Sequence, residues 1–209
     1  MRARAAVPGA PRQLAGFGSI NRFWDGNDGH WVAQVLPGEF YVTRQPEVIA
    51  TTLGSCVSTC IRDPEVGIGG LNHFMLPEDP NNDSGGGAMR YGYFAVERLI
   101  NVLIKHGARR ENLEIKVFGG GKVIPGLSDI GRANIDFVRE YFETEMLEIA
   151  AQDVGGSYAR RVRYYPETGR VLVKRLPTGE TSEVAKTETA FKVRLSMRPP
   201  PGEIDLFDD

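Results

Sequence analysis

Two β-branched segments joined by an Asp-Pro turn constrain this chain more than any other feature. Val57-Ser58-Thr59-Cys60-Ile61-Arg62 half-alternates, Asp63-Pro64-Glu65-Val66-Gly67 reverses the direction, and Ile68 to Met75 returns, closed by Leu76-Pro77. Turn residues bound both segments, and their apolar period is that of a strand, so the pair reads as an antiparallel hairpin. A tight Leu53-Gly54-Ser55 turn delivers Cys56 at the start of the first strand, and His73 lies near the end of the second. Counting outward from the Asp-Pro turn brings these two ends together to within a bulge of register. It does not fix which face each side chain takes.

That juxtaposition has a chemical meaning. A thiol is a strong nucleophile only as thiolate, and a neighbouring imidazole is the usual means of making one. The chain has three histidines and two cysteines, so few other pairs are available. A buried cysteine is more often inert than reactive, and an interior histidine is often satisfied by a carbonyl. Position separates Cys56 from that reading, because a glycine-serine turn lets the backbone approach a ligand closely. Backbone N–H groups near Gly54 and Ser55 can then face a developing oxyanion. Cys60, in mid-strand, reads as a core thiol.

Two alternative chemistries are disfavoured. Cys56-x3-Cys60-x12-His73 opens like a zinc finger, but the next histidine, His106, ends a helix, so no closing ligand follows. Gly119-Gly120-Gly121-Lys122 lacks phosphate-loop spacing, with Val123 where a hydroxyl is needed. It reads as a loop lining a cleft, with Gly119 and Gly120 as further oxyanion or cleft candidates. No metal or organic cofactor is expected.

With 209 residues, of which 41% are hydrophobic and 25% charged, the chain suits one well-buried domain. A formal charge of −2 argues against nucleic acid, which needs a clustered basic excess. Arg160-Arg161 and Arg163 read as a solvated strand face. Two closely spaced cysteines, no signal peptide and no spanning segment give the expectation of a cytoplasmic protein without membrane insertion.

Residues 1–38 are rich in Gly, Pro, Ala and Asn and read as a mobile extension that Phe23, Trp24 and Trp31 can pin in part. The domain is expected to span 39–196. Within it, short strands fall at Glu39–Val42, Glu47–Ala50, Leu113–Phe118 and Leu147–Asp153, with a hairpin at Arg161–Leu176 and a last strand at Thr187–Leu195. Helices are expected at Ala88–His106, with Phe94, Leu99, Leu103 and Ile104 inward, and from Ile130 or Gly131 to Glu143, with Ile135, Val138 and Phe142 inward. Glu78–Gly87 reads as a loop. Residues 197–209 form an acidic tail, either a docking peptide anchored by Ile204, Leu206 and Phe207 or a disordered end. The sum is an α/β chain, mostly strands with two main helices on one side.

At Thr51-Thr52-Leu53-Gly54-Ser55-Cys56 and Asn72-His73-Phe74-Met75-Leu76-Pro77 the chain resembles the chemoreceptor glutamine deamidase family, CheD. The likeness continues through Arg90-Tyr91-Gly92, Phe118-Gly119-Gly120, Ile130-Gly131-Arg132-Ala133-Asn134, Asp153-Val154-Gly155-Gly156 and Tyr165-Pro166-Glu167-Thr168-Gly169-Arg170. It implies a three-layer α/β/β sandwich, similar to the catalytic domains of deamidating bacterial toxins. It also implies a Cys–His–Thr hydrolase that converts glutamines of methyl-accepting chemotaxis receptors to glutamates. By this resemblance Cys56 is the nucleophile and His73 its base. The third role falls to Thr51 or Thr52, with Thr51 preferred. A CheC-type phosphatase is the implied regulatory partner, and a binding module for it is the alternative function.

Overall fold

The computed structural model describes residues 7–76, 86–123 and 130–196. Two five-stranded sheets face each other. In chain order the strands are β1 (Asn21–Asp25), β2 (His30–Gln34), β3 (Phe40–Thr43), β4 (Glu47–Leu53), β5 (Val57–Asp63) and β6 (Ile68–Asn72). After helix α1 (Gly86–Lys105) come β7 (Glu114–Gly119), helix α2 (Ile130–Thr144), β8 (Ile149–Val154), β9 (Arg160–Tyr165), β10 (Arg170–Arg175) and helix α3 (Thr178–Ser196). The first sheet runs β1-β2-β4-β9-β10 and the second β3-β6-β5-β7-β8. Helices α1 and α2 cover the second sheet, giving helix, sheet and sheet layers. The expected α/β/β sandwich is the architecture found. Among the described residues no helix is long and apolar enough to cross a membrane.

The layers follow from side-chain period. In β9, Arg160, Val162 and Tyr164 are buried while Arg161 is exposed, so every second residue faces the other sheet. In α1 the buried stripe is Val96, Leu99, Ile100 and Leu103. Phe94 and Ile104 do not share it as expected: each stands five positions from Leu99, and both are exposed. In α2 the expected Ile135, Val138 and Phe142 are buried together with Phe137 and Tyr141.

Three further expectations need correction. First, the domain begins well before residue 39. Phe17 and Ile20 are buried in the core, β1 and β2 form a hairpin, and β2 pairs in parallel with β4. The buried Val32-Ala33 pair is too short to display a period in sequence. The edge is fixed instead by pair contacts: Trp24 stacks edge-on against Trp31, and Arg22 Nε donates to Glu47 Oε1 at 2.8 Å.

Second, Thr187–Leu195 is not a strand but the second half of α3. The alternation Phe191, Val193, Leu195 imitates a strand, yet Val193 is exposed, while Thr181, Ala185, Glu188 and Leu195 are buried at helical spacing. Third, Arg160 is not solvated. It is fully buried, and its guanidinium donates to the carbonyl oxygens of Gly119, Asp153 and Gly155. It therefore ties the ends of β7 and β8 together behind the Cys56 turn. The expected acidic tail, and the Glu78–Gly87 loop up to residue 85, lie outside the described residues.

Candidate active site

The chain passes from the first sheet to the second at Gly54-Ser55-Cys56, between β4 and β5. Just beyond it, Val57 and Phe74 exchange both backbone hydrogen bonds at 2.9 Å. Cys56 and His73 each precede one member of that pair, so their side chains share the opposite face. This settles the face that counting left open. His73 is held on both sides by its backbone, donating to Glu39 O at 2.9 Å and accepting from Gly38 N at 2.8 Å.

Thr51 comes from the opposing sheet. Its Oγ1 lies 2.8 Å from His73 Nδ1 and donates its own proton to Val35 O, also at 2.8 Å. With that proton committed, the hydroxyl can only accept from the imidazole, so Nδ1 carries hydrogen and Nε2 presents its lone pair. Nε2 has no partner among the described residues although it is buried. Thr52, by contrast, is half-buried and lines the neighbouring cleft. Of the two threonines, Thr51 is the one in hydrogen-bond contact with His73.

The turn itself is braced from behind. Asn134 of α2, fully buried, accepts from Leu76 N at 2.8 Å and donates to Ser55 O at 2.9 Å. Gly120 N donates to Cys56 O at 2.7 Å and Gly121 N to Gly54 O at 2.6 Å. Gly120 therefore spends its amide on the back of the turn and is not an oxyanion donor. Gly119 stands beside it as packing: a Cβ there would lie 2.1 Å from Cys56 O, at a φ of +113°. Gly119→Ala is expected to lower stability by about 3 kcal/mol, read as a lower urea midpoint. An unchanged midpoint would mean that the turn is not held by this contact.

The expected donors at Gly54 and Ser55 are present, but they are filled by a residue that sequence reading missed. Glu188 of α3 accepts from Gly54 N at 2.8 Å, Ser55 N at 2.6 Å, Ser55 Oγ at 2.7 Å and Cys56 N at 3.2 Å. Three successive amides converge on one carboxylate, an anion-binding nest. The available signal was a single acidic residue inside the buried helical stripe of α3. It stayed hidden because the segment reads as a strand. Donor atoms of Cys56, His73 and Glu188 lie within 4.8 Å of one another, a set able to hold a cation. Both Glu188 oxygens are nevertheless already engaged by the turn, and Cys60 stays apart as a core thiol.

Burial governs the protonation states. Cys56 and His73 are almost wholly shielded, with 0% and 2% of their surface exposed. Burial pushes the Cys56 thiol well above its usual range, and the Glu188 carboxylate adds to the shift by repulsion and by accepting from it. Burial pushes His73 down to about 4, against a smaller upward pull from Glu188. Between pH 6.5 and 4 the unfolded imidazole binds a proton that the folded one rejects. Stability is therefore present above 6.5 and falls as pH drops toward 4, by on the order of 3 kcal/mol. Urea midpoints at pH 7 and pH 4.5 read this loss, and His73→Gln is expected to shrink it. An equal pH dependence in that variant would assign the loss to other groups.

A cleft of about 380 Å³ reaches the site between α3 and the first sheet. His73, Thr52, Arg161 and Leu36 line it on one side, and Val184 and Thr187 on the other.

Known proteins bear on this arrangement. Residues 75–175 match the family model described as CheD chemotactic sensory transduction. A protein of Halorhodospira halophila named "Probable chemoreceptor glutamine deamidase CheD" is 47% identical over 94% of this chain and 94% of its own length. A Hahella chejuensis protein of the same name is also 47% identical, over 94% of this chain and 95% of its own. A Dechloromonas aromatica relative is 48% identical over 90% and 95%. Among solved structures, YfiH of Bacillus licheniformis aligns over 57% of this chain and 50% of its own at a TM-score of 0.37 and 11% identity, too distant to carry an argument. With relatives this similar along nearly its whole length, the chain belongs to the chemoreceptor glutamine deamidase family, CheD.

Proposed function

We propose that this chain is a cysteine-dependent amidohydrolase that converts glutamines of methyl-accepting chemotaxis receptors to glutamates. The observation that carries the reading is the Thr51–His73 hydrogen bond, which leaves an unpartnered imidazole lone pair beside a thiol at a turn of converging amides. A hydrolase of amides needs a nucleophile, a base of fixed tautomer and an oxyanion site, and these residues fit those three needs.

In the proposed reaction His73 takes the Cys56 proton, and the thiolate adds to the carboxamide carbon of a receptor glutamine. The amides of Gly54, Ser55 and Cys56 hold the oxyanion. His73 then gives its proton to the departing nitrogen, and ammonia leaves as the carbon–nitrogen bond breaks. Water, deprotonated by His73, hydrolyses the γ-glutamyl thioester and returns the thiol. The net change is glutamine plus water to glutamate plus ammonia. The new negative charge on a receptor helix alters its repulsion from neighbouring helices. Receptor helices of this kind are reached from the cytoplasm, where we place the protein.

Incubation with a receptor cytoplasmic fragment is expected to release ammonia and to add about one mass unit at each converted glutamine. A fragment that stays unchanged in mass would overturn the deamidase reading. Regulation through a CheC-type phosphatase is a second proposed role, which rests on the family resemblance. Co-elution of the two proteins tests it, and separate elution at micromolar concentrations would dismiss it.

A further inference from the structure

Glu188 is a buried carboxylate, 1% exposed, whose hydrogen bonds to the Gly54–Cys56 turn all come from neutral donors. Acidic side chains are almost never fully buried without a partner, and this one is partnered by the amides that serve the proposed reaction. Gly54 is shaped to admit it, since a Cβ there would lie 2.7 Å from Glu188 Oε2. A glutamate side chain is also the product that a glutamine deamidase makes. While α3 is in place, no external carboxamide has room between Cys56, His73 and the amides.

The attachment of α3 is local. Its Ala185 packs with Val123, Ala159 and Leu176 in a small apolar group separate from the main core, with Val184 at its margin. Phe191, half-buried, lies over Gly38 at the margin of the main core, and Arg161 meets Glu180 at 3.4 Å on the surface. The helix can therefore lift without unpacking either sheet.

We infer that α3 is an intramolecular product mimic: Glu188 occupies the seat of the substrate's reacting side chain, and the chain rests closed until α3 leaves. This rests on the deamidase reading. It adds that the site is self-occluded and that substrate must displace α3. The raised Cys56 thiol agrees with it, because the closed form keeps the nucleophile protonated. If Glu188 sits where substrate sits, a glutamine at 188 is itself a substrate in cis. Cys56 sulfur adds to its side-chain carbonyl carbon, ammonia leaves with a proton from His73, and water restores the thiol and leaves glutamate.

Two variants test this. In Glu188→Ala, iodoacetamide is expected to alkylate Cys56 at least tenfold faster than in wild type, while Cys60 stays unreactive as the internal report of an intact core. Turnover of a receptor fragment should rise by a similar factor. Glu188→Gln keeps the shape of the side chain, and peptide mass spectrometry should find glutamate at 188 when Cys56 is present. Paired with Cys56→Ala, the same variant should retain glutamine. Unchanged Cys56 alkylation in Glu188→Ala would overturn the closed state. A glutamine that persists at 188 in protein active on receptor fragments would overturn the substrate-seat assignment. Absence of turnover in wild type and Glu188→Ala alike sinks the deamidase reading instead, and the alkylation rates still decide whether α3 closes the site.

Discussion

Cys56→Ala is expected to abolish ammonia release from receptor fragments, by roughly 10⁴-fold or more, while the protein keeps its fold. The size follows from what is removed: without the sulfur there is no thioester route, and the remaining amides and imidazole act only on water. Stability should change little, by about 1 kcal/mol, because one buried sulfur atom is lost from a turn that backbone bonds hold. Cys60→Ala is the matched control. Cys60 is also buried, but it lies within β5, away from the Gly54–Cys56 amides. That variant should lose a similar amount of stability and keep its turnover within about threefold. Ammonia assays beside thermal melts separate the two effects. Full turnover in Cys56→Ala would remove this residue as nucleophile.

His73→Gln is expected to lower turnover by about 10³-fold, within the range for a lost general acid–base group. The variant cannot take the thiol proton or return it to the departing nitrogen. Thr51→Val tests the layer behind it. The hydroxyl accepts the Nδ1 proton, so its loss frees the tautomer and leaves the Nδ1 proton unpaired in a dry site. Turnover there should fall by about 10- to 100-fold, mostly in kcat and with an altered pH profile, because Thr51 positions the base without touching substrate. Retention of activity within tenfold in His73→Gln would assign the proton transfers to another group. An unaltered pH profile in Thr51→Val would reduce that residue to packing.

Elements fixed by local pattern were legible in the sequence. The Asp63–Gly67 turn, the β9–β10 hairpin and the inward face of α2 depend on short-range period and turn chemistry, and they stand where those rules place them. Phe94 and Ile104 face outward because each stands five positions from Leu99, about 140° around the helix, so their size and apolarity do not place them on the buried stripe. Arg160 misled because composition treats a charge as solvated. Its burial is possible only where three carbonyls at the ends of β7 and β8 meet it. The strand expected at Thr187–Leu195 failed because an alternation of three residues is weaker than the helical stripe on which it is superposed.

By itself the sequence determined the hairpin that brings positions 56 and 73 together, the glycine turn between them and the first sheet, and the family to which the chain belongs. Those follow from covalent neighbours, whose geometry is set before any packing. Tertiary structure alone decided that Thr51 rather than Thr52 meets the imidazole, that Asn134 braces the turn, and that Glu188 fills its amides. Each of these is a contact between elements far apart in the chain. Burial energy selects such a contact only once both sheets and α3 have closed around it, so no local rule carries it.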